Sequence, residues 1–218
     1  MMDVPLSDLA LALQRVATDL VDAPSRSGRR LTSLATYCTQ GLTRWGLQGA
    51  RGADAELSIA GFGRKKNWDV AFEEGSRPRV IISLKSILSN MSGTVPNRID
   101  DLMGEVANVQ HRYPEVVTGY VALVDRNASP SGGLRTAAPR NQNEQYIARF
   151  RDAVERISIR RAPIWGPGLI EFAWIIELDT ARPAGSFVAD PDLAAAEGED
   201  FFQALTRELF EREPRLRR

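Results

Sequence analysis

Two short β-type runs separated by a turn constrain this chain more than any other feature in it. Asn67 to Glu73 and Arg79 to Ser86 are rich in β-branched and aromatic residues, and Glu74-Gly75-Ser76-Arg77-Pro78 between them is a turn by composition. The pair predicts a β-hairpin. Strand side chains alternate, so Asn67, Asp69 and Ala71 are expected on one face and Trp68, Val70 and Phe72 on the other. On the partner strand Ser83 and Lys85 point together, with Val80, Ile82 and Leu84 opposite. An acid on one strand thus faces a lysine near the end of the next.

Around this hairpin the periodicities predict further elements. Helices are expected over Leu6 to Val21, Arg29 to Trp45, Asn97 to Tyr113, Asn143 to Ile157 and Glu199 to Arg212. A short strand is expected at Glu56 to Ile59, a buried strand parallel to its neighbours at Val116 to Val124, and a last strand at Leu169 to Leu178. Ser89 to Pro96 reads as a flexible connection. Arg126 to Asn141 is a Pro/Gly/Ser/Arg loop too long for a plain connector, and such loops are usually functional or mobile. Strands interleaved with helices imply an α/β (α+β) layered domain with a central mixed β-sheet flanked by helices. The 218 residues suit one domain: a helical part over 1–52, a core over 53–125 and a closing part over 126–218.

Composition removes several classes of function. No run approaches the roughly 18 apolar residues that would suggest a membrane span. Met1 to Val21 lacks the basic start and apolar middle of a secretory signal, so the expected address is the cytoplasm. Cys38 is the one cysteine and His111 the one histidine, which excludes an internal disulfide and a cysteine-rich zinc site. Cys38 reads as a small buried residue. A net charge of zero decides nothing about nucleic acid, because binding depends on where the cations sit. Their identity is more telling. Lys65, Lys66 and Lys85 are the only lysines, every other cation being arginine, and arginine cannot replace a compact ammonium beside a scissile phosphate.

Hydrolysis of a phosphodiester needs charge stabilisation on the nonbridging oxygens, an activated water and help for the leaving oxygen, much of which Mg2+ can supply. Magnesium asks for hard oxygen ligands and keeps several waters. A hairpin bearing Asp69, the backbone carbonyl of Leu84 and Lys85 brings such groups to one point, with Lys85 next to the attacking water. The following helix carries Arg98, Asp101, Glu105, Asn108 and Arg112 on one stripe, with Ile99, Met103 and Val106 facing elsewhere. Taken alone, that stripe also fits a solvated face laced by ion pairs.

Three segments together resemble the PD-(D/E)XK nuclease superfamily, and within it the type II restriction endonucleases: Lys65-Lys66-Asn67-Trp68-Asp69-Val70, Ile81-Ile82-Ser83-Leu84-Lys85-Ser86 and Asn97-Arg98-Ile99-Asp100-Asp101-Leu102-Met103-Gly104-Glu105. The likeness covers roughly Arg64 to Val124 and implies a restriction-endonuclease-like core. It implies Asp69 as the first metal-binding acid and Lys85 as the catalytic lysine. Trp68 replaces the proline of the family pattern. Ser83 stands where the second acid normally sits, and a hydroxyl is a poor substitute for a carboxylate. Some members are similar in taking the missing acid from the next helix, which implies Glu105, or Asp101, as the migrated ligand.

The resemblance implies a Mg2+-dependent DNA endonuclease of restriction or phage-defence type, acting on double-stranded DNA as a homodimer because palindromic sites mirror a two-fold axis. A methyltransferase or helicase is the expected partner if targeting lies in a larger complex. Lys65, Lys66 and Arg98 are candidate DNA contacts, with Arg64 beside them. Arg126, Arg135 and Arg140 form a second group, with base-reading amides at Asn141, Gln142 and Asn143. The rival reading is a catalytically inactive nuclease fold that binds DNA or a protein, and Ser83 is its best support.

Overall fold

The computed structural model describes residues 4–23, 30–129 and 140–217. Strands β1 (Arg51–Ala60), β2 (Lys65–Glu74), β3 (Arg77–Ser89), β4 (Val117–Ser129) and β5 (Phe172–Leu178) form one mixed sheet in chain order. The first three run antiparallel, β4 lies parallel to β3, and β5 lies parallel to β4. Local chemistry accounts for the meander. Gly75 and Ser76 both take positive φ, 57° and 62°, between the paired Glu74 and Arg77, the two-residue turn that suits the twist of a hairpin. Parallel neighbours instead require crossovers, which are supplied by α3 (Met91–Gln110) and α4 (Arg140–Ile157).

Each face of the sheet carries its own core. Helices α1 (Leu6–Asp22), α2 (Thr32–Arg44) and α5 (Pro191–Arg212) contribute Leu13, Leu34, Phe201 and Phe202 against Val80, Ile82, Leu84 and Val121. On the other face α3 and α4 bring Leu102, Val106, Phe150 and Val154 against Ile81, Ile87, Tyr120 and Ala122. Gly198 of α5 permits close helix-to-sheet approach: a Cβ there would lie 2.7 Å from the Trp174 ring. The mixed sheet flanked by helices is as expected. Among the described residues no helix is long and apolar enough to cross a membrane.

Several boundaries differ from expectation. Helix α3 begins at Met91 with Pro96 inside it, although Ser89 to Pro96 reads as a flexible connection. Met91 and Val95 are buried in the core, and that burial outweighs one lost backbone hydrogen bond. Helix α5 starts at Pro191, eight residues before the expected Glu199. Asp190 accepts from Leu193 N–H at 3.1 Å and Pro191 opens the first turn, a start signal that the downstream glycine obscures. Strand β4 continues to Ser129, so the expected loop is shorter at its start, and its middle lies outside the described residues.

A buried ion cluster ties the N-terminal ends of the parallel strands. Glu171, fully buried, accepts from Thr118 N–H at 2.7 Å and Thr118 Oγ1 at 2.5 Å, and from Arg160 and Arg212, each at 2.7 Å. Trp165 lies against both guanidiniums, 4.3 Å from Arg212 and 5.4 Å from Arg160.

Candidate functional site

Asp69 sits where the sheet is interrupted on both sides. On β1 the register jumps from Gly52↔Val70 to Leu57↔Trp68, so four residues of β1 bulge past the single Asp69. On β3 the pairing with β2 stops at Val70↔Ile82. The Asp69 side chain fills the break, its Oδ2 accepting the Leu84 N–H at 2.8 Å. A carboxylate has replaced a rung of the ladder, an arrangement that bulges beside functional sites commonly provide. In a strand the N–H and C=O of one residue face the same neighbour, so the Leu84 carbonyl also turns toward β2.

This break corrects the alternation expected for β2. Strict alternation puts Trp68 with Val70, opposite Asp69 and Ala71, but Trp68 packs with Ala71 in the α3-side core while Val70 enters the other one. The break in pairing at Asp69 resets the two-residue period. The partner strand behaves as expected: Val80, Ile82 and Leu84 enter one core, while Ile81 and Ile87, in phase with Ser83 and Lys85, enter the other.

Helix α3 delivers Glu105 to the same point. Its Oε2 forms ion pairs with Lys85 at 3.4 Å and, more closely, with Lys66, and it takes a long 3.4 Å contact from the Ser83 hydroxyl. The three charged side chains are only 14 to 16% exposed. Ser83 therefore touches the helix acid instead of standing in for it. Asp101, one turn earlier, is half exposed and pairs with Arg98 at 3.2 Å. Of the two candidate acids, Glu105 is the one beside the lysines.

Lys66 departs from its expected place. Its position next to Lys65 suggests a phosphate contact, yet its stem turns inward, its ammonium 4.3 Å from the Trp68 ring and paired with Glu105. The same reset of the strand carries Lys66 and Trp68 to the α3 side. Lys65 remains exposed, and Arg98 is partly exposed. Arg135 lies outside the described residues, and Arg140 opens α4 with its side chain outside the description. Of the companion residues, Arg126 is committed to Glu177 at 2.6 Å, and Asn143 donates to the carbonyls of Arg126 and Ala128.

The electrostatics follow from this crowding. Burial pushes the Asp69 carboxyl above its ordinary value, opposed in part by the Leu84 N–H, Lys85 and Lys66. Burial acts the same way on Glu105, but Lys66 and Lys85 together outweigh it and hold that carboxyl below the usual range. Burial and the neighbouring Lys85 lower Lys66, against the pull of Glu105.

Tyr120 is a member that sequence periodicity does not reveal. It pairs in register with Ser83 on β4, is buried, and its hydroxyl has no hydrogen-bond partner among the described residues. Burial pushes that hydroxyl far up, with Arg98, Glu105 and Asp101 within electrostatic reach. Inside the apolar run Val116 to Val124 it looks like core; only its register against Ser83 places it here. Two hollows elsewhere, about 810 Å³ between α1 and α2 and about 580 Å³ beside β5, share no residue with this cluster.

The donor set fits a hard cation sparingly. Asp69, Glu105 and the Leu84 carbonyl are oxygen ligands, and magnesium completes its shell with water. No group of three or more His, Cys, Asp or Glu side chains suited to a metal occurs among the described residues. Comparison with known protein families, curated proteins and solved structures returns no match for this chain.

Proposed function

We propose that this protein is a Mg2+-dependent DNA endonuclease of restriction or phage-defence type, with a restriction-endonuclease-like core over the hairpin, α3 and β4. One observation carries the reading: Glu105, twenty residues beyond Lys85, returns to pair with it beside Asp69. That supports the migrated-acid arrangement that the resemblance implies. Asp69, Glu105 and the Leu84 carbonyl would hold magnesium, which when bound neutralises charge on the phosphate and acidifies a water.

The chain's own residues do the rest. Lys85 orients the attacking water and stabilises its hydroxide form, Ser83 steadies Glu105, and Lys65 and Arg98 meet DNA phosphates. The water gives up a proton to solvent as its oxygen forms the new P–O bond, the P–O bond to one sugar breaks, and the leaving oxygen takes a proton from solvent. The substrate is double-stranded DNA, cut by a symmetric dimer in the cytoplasm, with a methyltransferase or helicase as partner where targeting is shared.

Incubation of plasmid DNA of varied sequence with magnesium tests this. Wild type is expected to linearise or fragment it, and Lys85→Ala and Glu105→Gln to leave it intact. Identical products from wild type and Lys85→Ala would remove Lys85 from the chemistry.

A second reading has its own support. Two lysines already balance the two carboxylates, so the cluster is neutral without a metal. A catalytically inactive DNA-binding or protein-binding subunit would look the same. It requires that calorimetry find no magnesium binding sensitive to Asp69→Asn.

A further inference from the structure

The turn between β1 and β2 presents an apolar ring to solvent on an unusually firm support. Phe62 is 79% exposed, more than any other large hydrophobic side chain among the described residues. The turn is closed by the Gly61 N–H donating to the Arg64 carbonyl at 2.9 Å. Asn108 of α3 clamps it from below. Its backbone carbonyl accepts from Phe62 N–H at 2.8 Å, its Oδ1 from Gly63 N–H at 2.8 Å and Arg64 N–H at 3.3 Å, and its Nδ2 donates to the Arg64 carbonyl at 3.0 Å. At Gly61 a Cβ would lie 2.0 Å from Asn108 Nδ2, so only glycine admits the clamp.

None of this needs a phenylalanine. The turn's bonds run through backbone and Asn108, and Phe62 has no positive φ, so a polar residue would serve the fold equally. The ring's contact is the exposed His111, 5.6 Å away between centroids. Two exposed cations, Arg64 and Lys65, follow it on the same turn, and residues 61–66 contain no acid. An exposed ring flanked by cations fits nucleic acid: a sugar-phosphate backbone on the cations and a base on the ring.

We propose that this turn is a DNA-engaging finger, on which Phe62 stacks against a base drawn out of the duplex beside the cut phosphate while Arg64 and Lys65 hold the adjoining backbone. The proposal rests on the nuclease reading for its ligand. Position supports it: Lys65 adjoins Lys66 of the acid site, and Asn108 lies one helical turn from Glu105. One rigid unit therefore sets the spacing between finger and cutting site.

The test uses mixed-sequence duplex DNA carrying 2-aminopurine, whose fluorescence rises when the base is unstacked, with Lys85→Ala protein so that DNA stays intact in magnesium. Lys85→Ala alone is expected to bind and raise the fluorescence. Adding Phe62→Ala is expected to weaken binding roughly tenfold and abolish the rise, while Phe62→Trp preserves both. Circular dichroism checks folding, which a change at an exposed position leaves intact. Equal affinity and an equal rise with Phe62→Ala overturn the finger, and if wild type still cuts plasmid the nuclease reading stands. A Phe62→Ala effect on self-association alone, with DNA affinity unchanged, also overturns it in favour of a second copy of the chain. Wild type that neither binds nor cuts DNA overturns both readings.

Discussion

Glu171 and Glu105 each sit between two cations, and they differ in almost every other respect. Glu171 is fully buried and receives four hydrogen bonds: two from Thr118, one from Arg160 and one from Arg212. Glu105 meets two lysines and a long serine contact beside a break in the sheet. Arginine holds a carboxylate through a fixed planar fork, whereas an ammonium is a compact charge on a flexible stem that can rotate to another partner. The first arrangement locks chain segments together. The second leaves a carboxylate able to exchange its partners, which a metal site requires, and the chain puts two of its three lysines there.

Mutation should separate the two clusters. The largest effect is expected from Lys85→Ala, a loss of roughly a hundredfold to ten-thousandfold in plasmid cleavage with the thermal midpoint little changed. Unaltered cleavage would reduce the Glu105 cluster to another structural ion pair. Glu171→Ala should do the reverse. Leaving Arg160 buried without its partner is expected to cost about 3 to 5 kcal/mol, read from urea unfolding, while cleavage per folded molecule stays the same.

Lys66→Met is a finer probe of the same contrast. With one ammonium gone, Glu105 is freer to accept a cation, so calorimetry should show magnesium binding tightened by roughly tenfold, on the order of 1.4 kcal/mol. Weaker or absent binding would mean that Lys66 supports the site instead of competing for it.

The smallest effect concerns Glu177. Burial raises its carboxyl, but Arg126 and Arg151 outweigh burial and hold it below the ordinary value. A depressed folded value means that the unfolded chain takes the proton first as pH falls. Its stabilisation is therefore complete above the unfolded value of about 4.3 and is lost as pH drops through the folded one. Glu177→Gln should flatten that acid limb by about 1 kcal/mol or less, because the arginines are partly exposed. An unchanged acid limb in urea unfolding at pH 5 and pH 3 would assign the loss to other carboxylates.

Much of the fold and part of the candidate site are legible in the amino-acid order. The hairpin, the apolar strand β4 and the shared face of Ser83 and Lys85 follow from local turn chemistry and a two-residue period. Glu105 is legible as a candidate because helical spacing places it on the Arg98 to Arg112 stripe. Asp101 competes with it there, since periodicity gives a stripe its direction but not its depth over the sheet.

Where expectation and fold part, the reasons are nonlocal. Trp68 and Lys66 change sides because β2 loses its pairing to both neighbouring strands at Asp69, and its alternation slips there. Tyr120 joins the site through its register with Ser83, which a hydrophobic run does not encode. Pro96 enters a helix because Met91 and Val95 find a core.

The sequence by itself determined that an acid and a lysine would lie on adjacent strands of one hairpin within a mixed sheet, because turns and strand periods are written in neighbouring residues. Only the tertiary structure decided that Lys66 and Glu105 join them, and that Asn108 holds Phe62 out into solvent. Those contacts join residues about 40 apart through the packing of α3 on the strands, whose distance and register emerge only when the whole core closes.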